Sequence, residues 1–368
     1  MKKVLIGFLA LIAAAGAFAQ EISVSGSVQM DMGINTQIYP EDYRYLHPDY
    51  NPLKNKDDYT TYSEWYWDIL DNGGTYLQVN AETDSVKAWL RTRASVGGGR
   101  MTWMGDVTAN FGMLDLSFGY NRLPFAYWSS WELYADNHLG FGASSTDRST
   151  YLQIKLIDSL IIGIAEGNVL SEMHVKKAWS PYFYITYTFL QEDVFELGAG
   201  FIGAHLSGSV INQLTSTSQN DAEFPFMGKL YFTFLGLDPL SFGVNLALYG
   251  KPRNSIFSIS GNPVIGGLND DLALEALLNF NAALDVCTIG FAAGFVANLS
   301  GEDDNKVDDG GIGLKFGLSA IFDLGGTGLQ LIPGVGFTTY NLTHKVNTIE
   351  TKAKWASMDI GVTFMYSF

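Results

Sequence analysis

Apolar and polar residues alternate along most of the chain with a period of two, which differs from the spacing of a helix. The pattern begins at residues 22–34. The apolar set there is Ile22, Val24, Val28, Met30 and Met32, and the polar set is Ser23, Ser25, Ser27, Gln29 and Asp31. Such alternation is typical of a strand with one apolar and one polar face. Because it recurs up to Phe368, we expect a strand at each end of the chain.

Between these two strands the sequence predicts hairpins with alternately short and longer connections. Short turns are expected at 82–84, 111–113, 157–159, 191–193, 236–238, 284–285 and 324–326. The other connections are expected at 39–62, 97–99, 124–147, 168–179, 207–225, 250–270, 300–309 and 343–351, and most of these are long and polar. This count predicts an all-β, antiparallel sheet of about 16 strands. The second strand begins either within 62–70, with Asn72, Gly73 and Gly74 as an internal bend, or only at Thr75.

The polar face of the predicted sheet is too hydrophilic to form a dry core. Lys87, Trp89, Arg91 and Arg93 share one face of a single strand, opposite Ala88, Leu90 and Ala94. Long polar side chains of this kind are costly to bury without partners. The opposite faces elsewhere are continuously apolar, as in residues 240–248. The sequence therefore predicts a membrane barrel whose apolar face contacts the lipid bilayer and whose polar face lines a wet lumen.

The first 19 residues have the features of an export signal. Lys2 and Lys3 precede an apolar core at 4–15 and a small-residue cleavage site at 17–19. We therefore divide the chain into a signal peptide, 1–19, and a single barrel domain, 20–368. No apolar run of about 18 residues follows the signal, which argues against a helical membrane protein. Export together with the barrel pattern predicts the bacterial outer membrane as the location.

The composition and net charge argue against several classes of function. Charged residues make up 16% of the chain, against about 25% in typical soluble proteins. Without Lys2 and Lys3, 20 basic residues face 38 acidic ones, a net charge of 20 − 38 = −18, so nucleic acid is excluded as a partner. The five histidines are scattered without the spacing of metal ligands. We accordingly predict neither a metal, a cofactor nor an enzymatic activity.

The last strand carries a second export feature. Phe364, Tyr366 and Phe368 lie on one face of it. An apolar alternating strand that ends in Phe resembles the recognition strand by which outer-membrane barrels reach their assembly machinery. The resemblance implies the barrel-assembly machinery as a partner, together with lipopolysaccharide-type or other lipids of the outer leaflet.

The whole mature chain resembles the general bacterial porins in architecture. The most specific local match is residues 115–125, DLSFGYNRLPF, which is similar to the porin strand that leads into the third external loop. The resemblance implies short periplasmic turns, long external loops, a third loop folded into the lumen, and a homotrimer. It also implies passive diffusion of small hydrophilic solutes or ions.

In such a channel, carboxylates of the third loop face a basic strand and create a transverse field at the constriction. The residues that we expect to form it are Lys87, Arg91, Arg93, Arg122, Glu132 and Asp136. Two alternatives remain open. The aromatic residues Trp128, Trp131, Tyr134 and Trp65 could form a sugar-selective track, and the external loops could make the protein a surface adhesin or receptor.

Overall fold

The computed structural model describes residues 21–39, 51–55, 60–69, 75–95, 100–121, 149–157, 159–165, 182–192, 194–204, 226–250, 272–298, 308–346 and 349–368. Within these ranges, no helix is long and apolar enough to cross a membrane. The described residues form strands and the turns between them, so the prediction of an all-β fold is confirmed.

Seventeen strands belong to one antiparallel sheet. In chain order they are β1 Glu21–Ile38, β2 Thr61–Ile69, β3 Tyr76–Glu82, β4 Val86–Ser95, β5 Arg100–Asn110, β6 Leu114–Asn121, β7 Ser149–Leu156, β8 Leu160–Ala165, β9 Tyr182–Gln191, β10 Phe195–Ala204, β11 Phe226–Leu237, β12 Leu240–Gly250, β13 Leu272–Ala283, β14 Thr288–Asn298, β15 Asp308–Asp323, β16 Leu329–Val346 and β17 Ile349–Ser367.

The sheet closes into a barrel because β1 pairs with β17, Ser27 lying opposite Ser367 and Ile38 opposite Ala356. On its other edge β1 pairs with both β2 and β3. These two elements are therefore halves of one interrupted strand, and the barrel has 16 strands as predicted. The interruption lies between Ile69 and Thr75, which confirms the alternative in which the second strand begins before the Asn-Gly-Gly segment. Residues 70–74 themselves lie outside the described residues.

The short turns lie at one end of the barrel and fall where the sequence predicts them. All seven are confirmed to within two residues. The turn after β5 illustrates their chemistry: Gly112 has a φ of +83°, which glycine adopts without strain, and its N–H donates to Asn110 Oδ1 at 3.0 Å. Such compact turns fix the register of each hairpin.

One predicted external connection is wrong. Residues 343–351 were expected to form a loop, yet β16 continues to Val346 and β17 begins at Ile349, with those two residues in register. Polar residues at these strand ends mimic a loop in the sequence, because a strand that rises above the lipid needs no apolar face.

The two faces of the wall have opposite polarity, as predicted. Large apolar side chains are exposed on the outside, among them Ile22 at 59%. Polar residues in the middle of the same strand point inward and are enclosed, with Asp31 only 5% exposed. A soluble protein rarely exposes such a continuous apolar surface. The outside of the barrel is therefore suited to lipid and the inside to water and polar groups.

Candidate functional site

The inner wall formed by β3, β4 and β5 carries a fixed positive charge at Arg91. Its Nε donates to Gln78 Oε1 at 2.7 Å, and the centre of its guanidinium lies 3.9 Å from the centroid of the Tyr76 ring. Gln78 in turn donates from Nε2 to Asn80 Oδ1 at 2.6 Å. These contacts use one edge and one face of the guanidinium. Within the described part of the chain, no carboxylate forms an ion pair with Arg91.

The other predicted cations of this strand differ in position. Lys87 lies beside the turn, its side chain is 71% exposed, and its Nζ is 2.7 Å from Glu82 Oε1. It therefore belongs to the rim of the barrel and not to the middle of the lumen. Arg93 shares the inward face with Arg91 and is half-buried, in register with Tyr76 and Thr102.

The remaining residues of the predicted constriction are one cation and two carboxylates. Arg122, Glu132 and Asp136 all fall within 122–148, outside the described residues. The pairing of Arg91 and Arg93 with these carboxylates therefore stays a prediction.

Of the four aromatic residues of the predicted solute track, three lie outside the described residues and one lies within them. Trp128, Trp131 and Tyr134 lie outside the described residues. Trp65 is in β2, directly opposite Ile34, and is 82% exposed. Because neighbouring side chains of a strand alternate between faces, Trp65 lies outside the barrel while Tyr66 lies inside. Trp65 is thus positioned like an aromatic residue of the membrane interface, and it does not line the lumen.

Four tyrosines of the inner wall share one arrangement that the sequence analysis did not anticipate. Each tyrosine lies in register with a glycine of the preceding strand, and its hydroxyl reaches a polar side chain one strand further on. The hydroxyl contacts are Tyr66 Oη to Asp359 Oδ1 at 2.9 Å, Tyr151 Oη to Asp106 Oδ2 at 2.9 Å, Tyr184 Oη to Gln153 Oε1 at 3.0 Å, and Tyr231 Oη with Thr188 Oγ1 at 2.9 Å. We call these arrangements tyrosine clamps.

The glycines beneath the clamps lie in register with the tyrosines. The pairs are Gly33 with Tyr66, Gly119 with Tyr151, Gly163 with Tyr184, and Gly198 with Tyr231. A Cβ at Gly33, Gly163 or Gly198 would lie closer than 3.0 Å to atoms of the tyrosine ring or hydroxyl. At Gly119 the close atoms belong to Asp106 and Gly105 instead. Glycine is thus required for three of the rings to lie flat on the wall.

A cluster of polar residues joins the first and last strands on the inside of the barrel. Gln29 Nε2 donates to both carboxylate oxygens of Asp31, at 3.1 and 3.2 Å, and Thr363 Oγ1 also donates to Asp31. The backbone N–H of Gln29 donates to Thr75 Oγ1 at 3.0 Å, at the break between β2 and β3. All four residues are buried. Their hydrogen bonds satisfy polar groups that would otherwise be costly to enclose.

The three residues of the predicted assembly signal follow one another along the outside of this seam. Phe364 and Tyr366 lie opposite Met30 and Val28, and the rings of Tyr366 and Phe368 stack with centroids 6.1 Å apart. Phe368 exchanges two backbone hydrogen bonds with Gly26, at 3.0 and 3.1 Å. The geometry locates these residues at the seam, and their role in assembly stays a prediction.

Comparison with known proteins shows similarity at the level of the fold. No protein-family model matches the chain, and no curated protein matches its sequence. The outer membrane channel DcaP of Acinetobacter baumannii has a similar structure, with a TM-score of 0.59 at 13% identity over 95% of this chain and 97% of that one. A loop L8 deletion mutant of OmpT, an outer membrane protein of Vibrio cholerae, gives 0.51 at 10% identity, covering 95% and 99%. The trimer form of in-vitro folded OmpT gives 0.50 at 11% identity over the same shares.

Proposed function

We propose that the protein is an outer-membrane porin through which small hydrophilic solutes or ions diffuse passively. The observation that carries this proposal is the polarity of the closed wall, which is apolar towards the outside and polar towards the inside. A barrel of 16 strands is wide enough to hold an aqueous channel. The fold that the chain shares with outer-membrane proteins supports the same location.

The proposed constriction lies between the basic wall of β4 and the third external connection. Arg91 and Arg93 supply the positive side, and Glu132 or Asp136 supplies the negative side. The inward position of both arginines supports this arrangement, as does the length of the connection between β6 and β7. Opposite charges across a narrow passage create a transverse field that selects solutes by charge and size.

Reconstitution in planar lipid bilayers tests the proposed function directly. Purified protein should be folded first, as judged by a β-sheet circular dichroism spectrum and by slower electrophoretic mobility after heating. It should then produce stepwise increases in current. Folded protein without any conductance would contradict the porin proposal. In that case the external loops should be tested by deleting residues 40–58 and measuring ligand or host-cell binding.

We also propose that three barrels associate. The support is the trimer form of one structural neighbour and the large apolar surface of this barrel. Chemical cross-linking in native outer membranes should give a ladder that ends at the trimer. A ladder that ends at the monomer would contradict the association.

A further inference from the structure

We infer that the tyrosine clamps determine the free cross-section of the lumen by holding large aromatic side chains flat against the wall. The inference deepens the proposed function, on which it rests, by naming residues that set the size limit for a solute. It follows from three features of the clamps: their continuity around the wall, their common direction, and the absence of space beneath the rings.

Three of the clamps form a continuous series over seven strands. Tyr231 of β11 reaches Thr188 of β9, Tyr184 of β9 reaches Gln153 of β7, and Tyr151 of β7 reaches Asp106 of β5. Thus β9 and β7 each receive one clamp and also supply the tyrosine of the next. In this sector the hydroxyls are occupied, and Tyr151 and Tyr184 are buried, at 6% and 2% exposure.

All four clamps extend in the same rotational direction around the barrel. Every tyrosine reaches towards a strand that precedes its own in the closed order, including Tyr66, which crosses β1 to reach Asp359 of β17. In three of them the hydrogen-bond partner of the hydroxyl lies in register with the glycine: Gln153 with Gly163, Thr188 with Gly198, and Asp106 with Gly119. A repeated geometry of this kind points to a shared property of the wall and not to four separate packing accidents.

The lack of space beneath a ring determines how the tyrosine responds when the glycine under it gains a methyl group. Tyr184 is only 2% exposed, and a methyl group at Gly163 would overlap its ring. The backbone of β8 cannot yield, because it is paired on both edges. The ring has to lift off the wall, which breaks the bond to Gln153. The direction left to it is inward, away from the wall, so the ring and whatever covers it move towards the barrel axis.

Glycine-to-alanine variants at the clamps provide the test. We expect Gly163→Ala and Gly198→Ala each to lower single-channel conductance by roughly 1.5-fold, with a smaller size limit in liposome-swelling assays. Gly228→Ala, on the outer face of the wall, is the control. Gly228 also lies within a strand of the wall, but nothing lies within 4 Å of the position that its Cβ would occupy. Its conductance should equal that of the wild type.

A double variant separates ring displacement from other effects of the methyl group. Tyr184→Ala removes a ring that already lies on the wall, so its conductance should be at least that of the wild type. Gly163→Ala combined with Tyr184→Ala should match Tyr184→Ala alone. A double variant as restricted as Gly163→Ala, or a Tyr184→Ala variant that conducts less than the wild type, would overturn the inference. If Gly163→Ala does not fold, the conductance of Tyr184→Ala alone still tests the inference.

A measurement that needs no channel activity separates this inference from the proposed function. Tetranitromethane nitrates accessible tyrosines, and mass spectrometry locates the product. Tyr184 should be protected in the wild type and in Gly228→Ala, and modified in Gly163→Ala. If the wild type does not conduct, the porin proposal fails, while the nitration pattern still tests the clamps. Continued protection of Tyr184 in folded Gly163→Ala would show that the ring has not moved and would refute them.

Discussion

Asp31 illustrates how single residues stabilise a wall that is polar on the inside. Its carboxylate is nearly enclosed, yet it accepts hydrogen bonds from Gln29 on its own strand and from Thr363 on the last strand. Hydrogen bonds to a charged group are stronger than those between neutral groups. Gln29 is equally enclosed, so each member of the group depends on the others.

Replacing Asp31 with Ala should therefore destabilise the barrel. Removing the carboxylate leaves the Gln29 amide and the Thr363 hydroxyl buried without their acceptor, which typically costs about 1–3 kcal/mol. Urea unfolding in detergent micelles, followed by tryptophan fluorescence, measures the loss. Asp115→Ala is the control, because Asp115 accepts from Asn110 Nδ2 at 2.6 Å at an exposed turn where water can substitute. Equal losses for the two variants would contradict the argument.

Among the strands, β1 has to match the largest number of partners, because it pairs with β17 on one edge and with two separate strands on the other. Only two residues of β1, Val28 and Gln29, separate the parts that pair with β2 and β3, whereas six residues separate β2 from β3. The Thr75 side chain replaces one of the missing backbone partners. The seam with β17 is uninterrupted and ends with the two hydrogen bonds between Gly26 and Phe368.

Deletion of Phe368 tests whether the end of β17 acts in assembly or only in stability. We expect a loss of folded protein in cells that exceeds any loss of stability in detergent, because a recognition strand is needed only for delivery. The measurements are the yield of heat-modifiable protein in membranes and the urea midpoint after refolding in vitro. Phe337→Ala, which removes another outward phenylalanine, is the control. Parallel losses in both assays would assign Phe368 a purely structural role.

At the scale of the whole molecule, the chain is strongly acidic, yet cations such as Arg91 lie on the inner wall. The sequence carries a net charge of −16, which favours cations near the channel mouths. Arg91 lies on the inner wall and is fixed by Gln78 and Tyr76. A charge within a narrow, partly desolvated passage acts more strongly on ions than an exposed charge, which salt screens.

Arg91→Ala should therefore shift the reversal potential in a salt gradient towards cation selectivity. Arg91→Lys should change it less, because the charge is retained. Lys87→Ala removes the same unit charge from the exposed rim and should have a smaller effect than Arg91→Ala. A reversal potential that is insensitive to Arg91, in a protein that conducts normally, would remove this residue from the selectivity mechanism.

The sequence predicts the strands and turns of this barrel well, because lipid on one side and water on the other impose strict alternation. The loop predicted at residues 343–351 is wrong for the same reason. Outside the lipid, both faces of a strand can be polar, so the sequence at the ends of β16 and β17 resembles that of a loop. The break between β2 and β3 could be anticipated as an alternative, since Asn72, Gly73 and Gly74 disfavour a continuous strand.

The candidate site is harder to predict from sequence. The alternation places Arg91 and Arg93 on the inner face, as the structure confirms. It also identifies Tyr184 and Gly163 as strand residues, but their contact depends on the register between β8 and β9. That register is set by the connection between the strands and by the whole closed sheet. The available signal was a glycine on the polar face of a strand, which is too common to indicate a clamp.

The pairing of β1 with β17 also has a kinetic consequence. Asp31 and Thr363 are 332 residues apart in the chain, whereas all other pairings join neighbouring strands once β2 and β3 are counted as one interrupted strand. Hairpins form locally and quickly, but contacts between distant residues must first overcome the entropy of loop closure. Until the ring closes, β1 and β17 each present an unpaired edge, which can join another chain and aggregate. The closing step therefore sets how long the chain needs protection before it is folded.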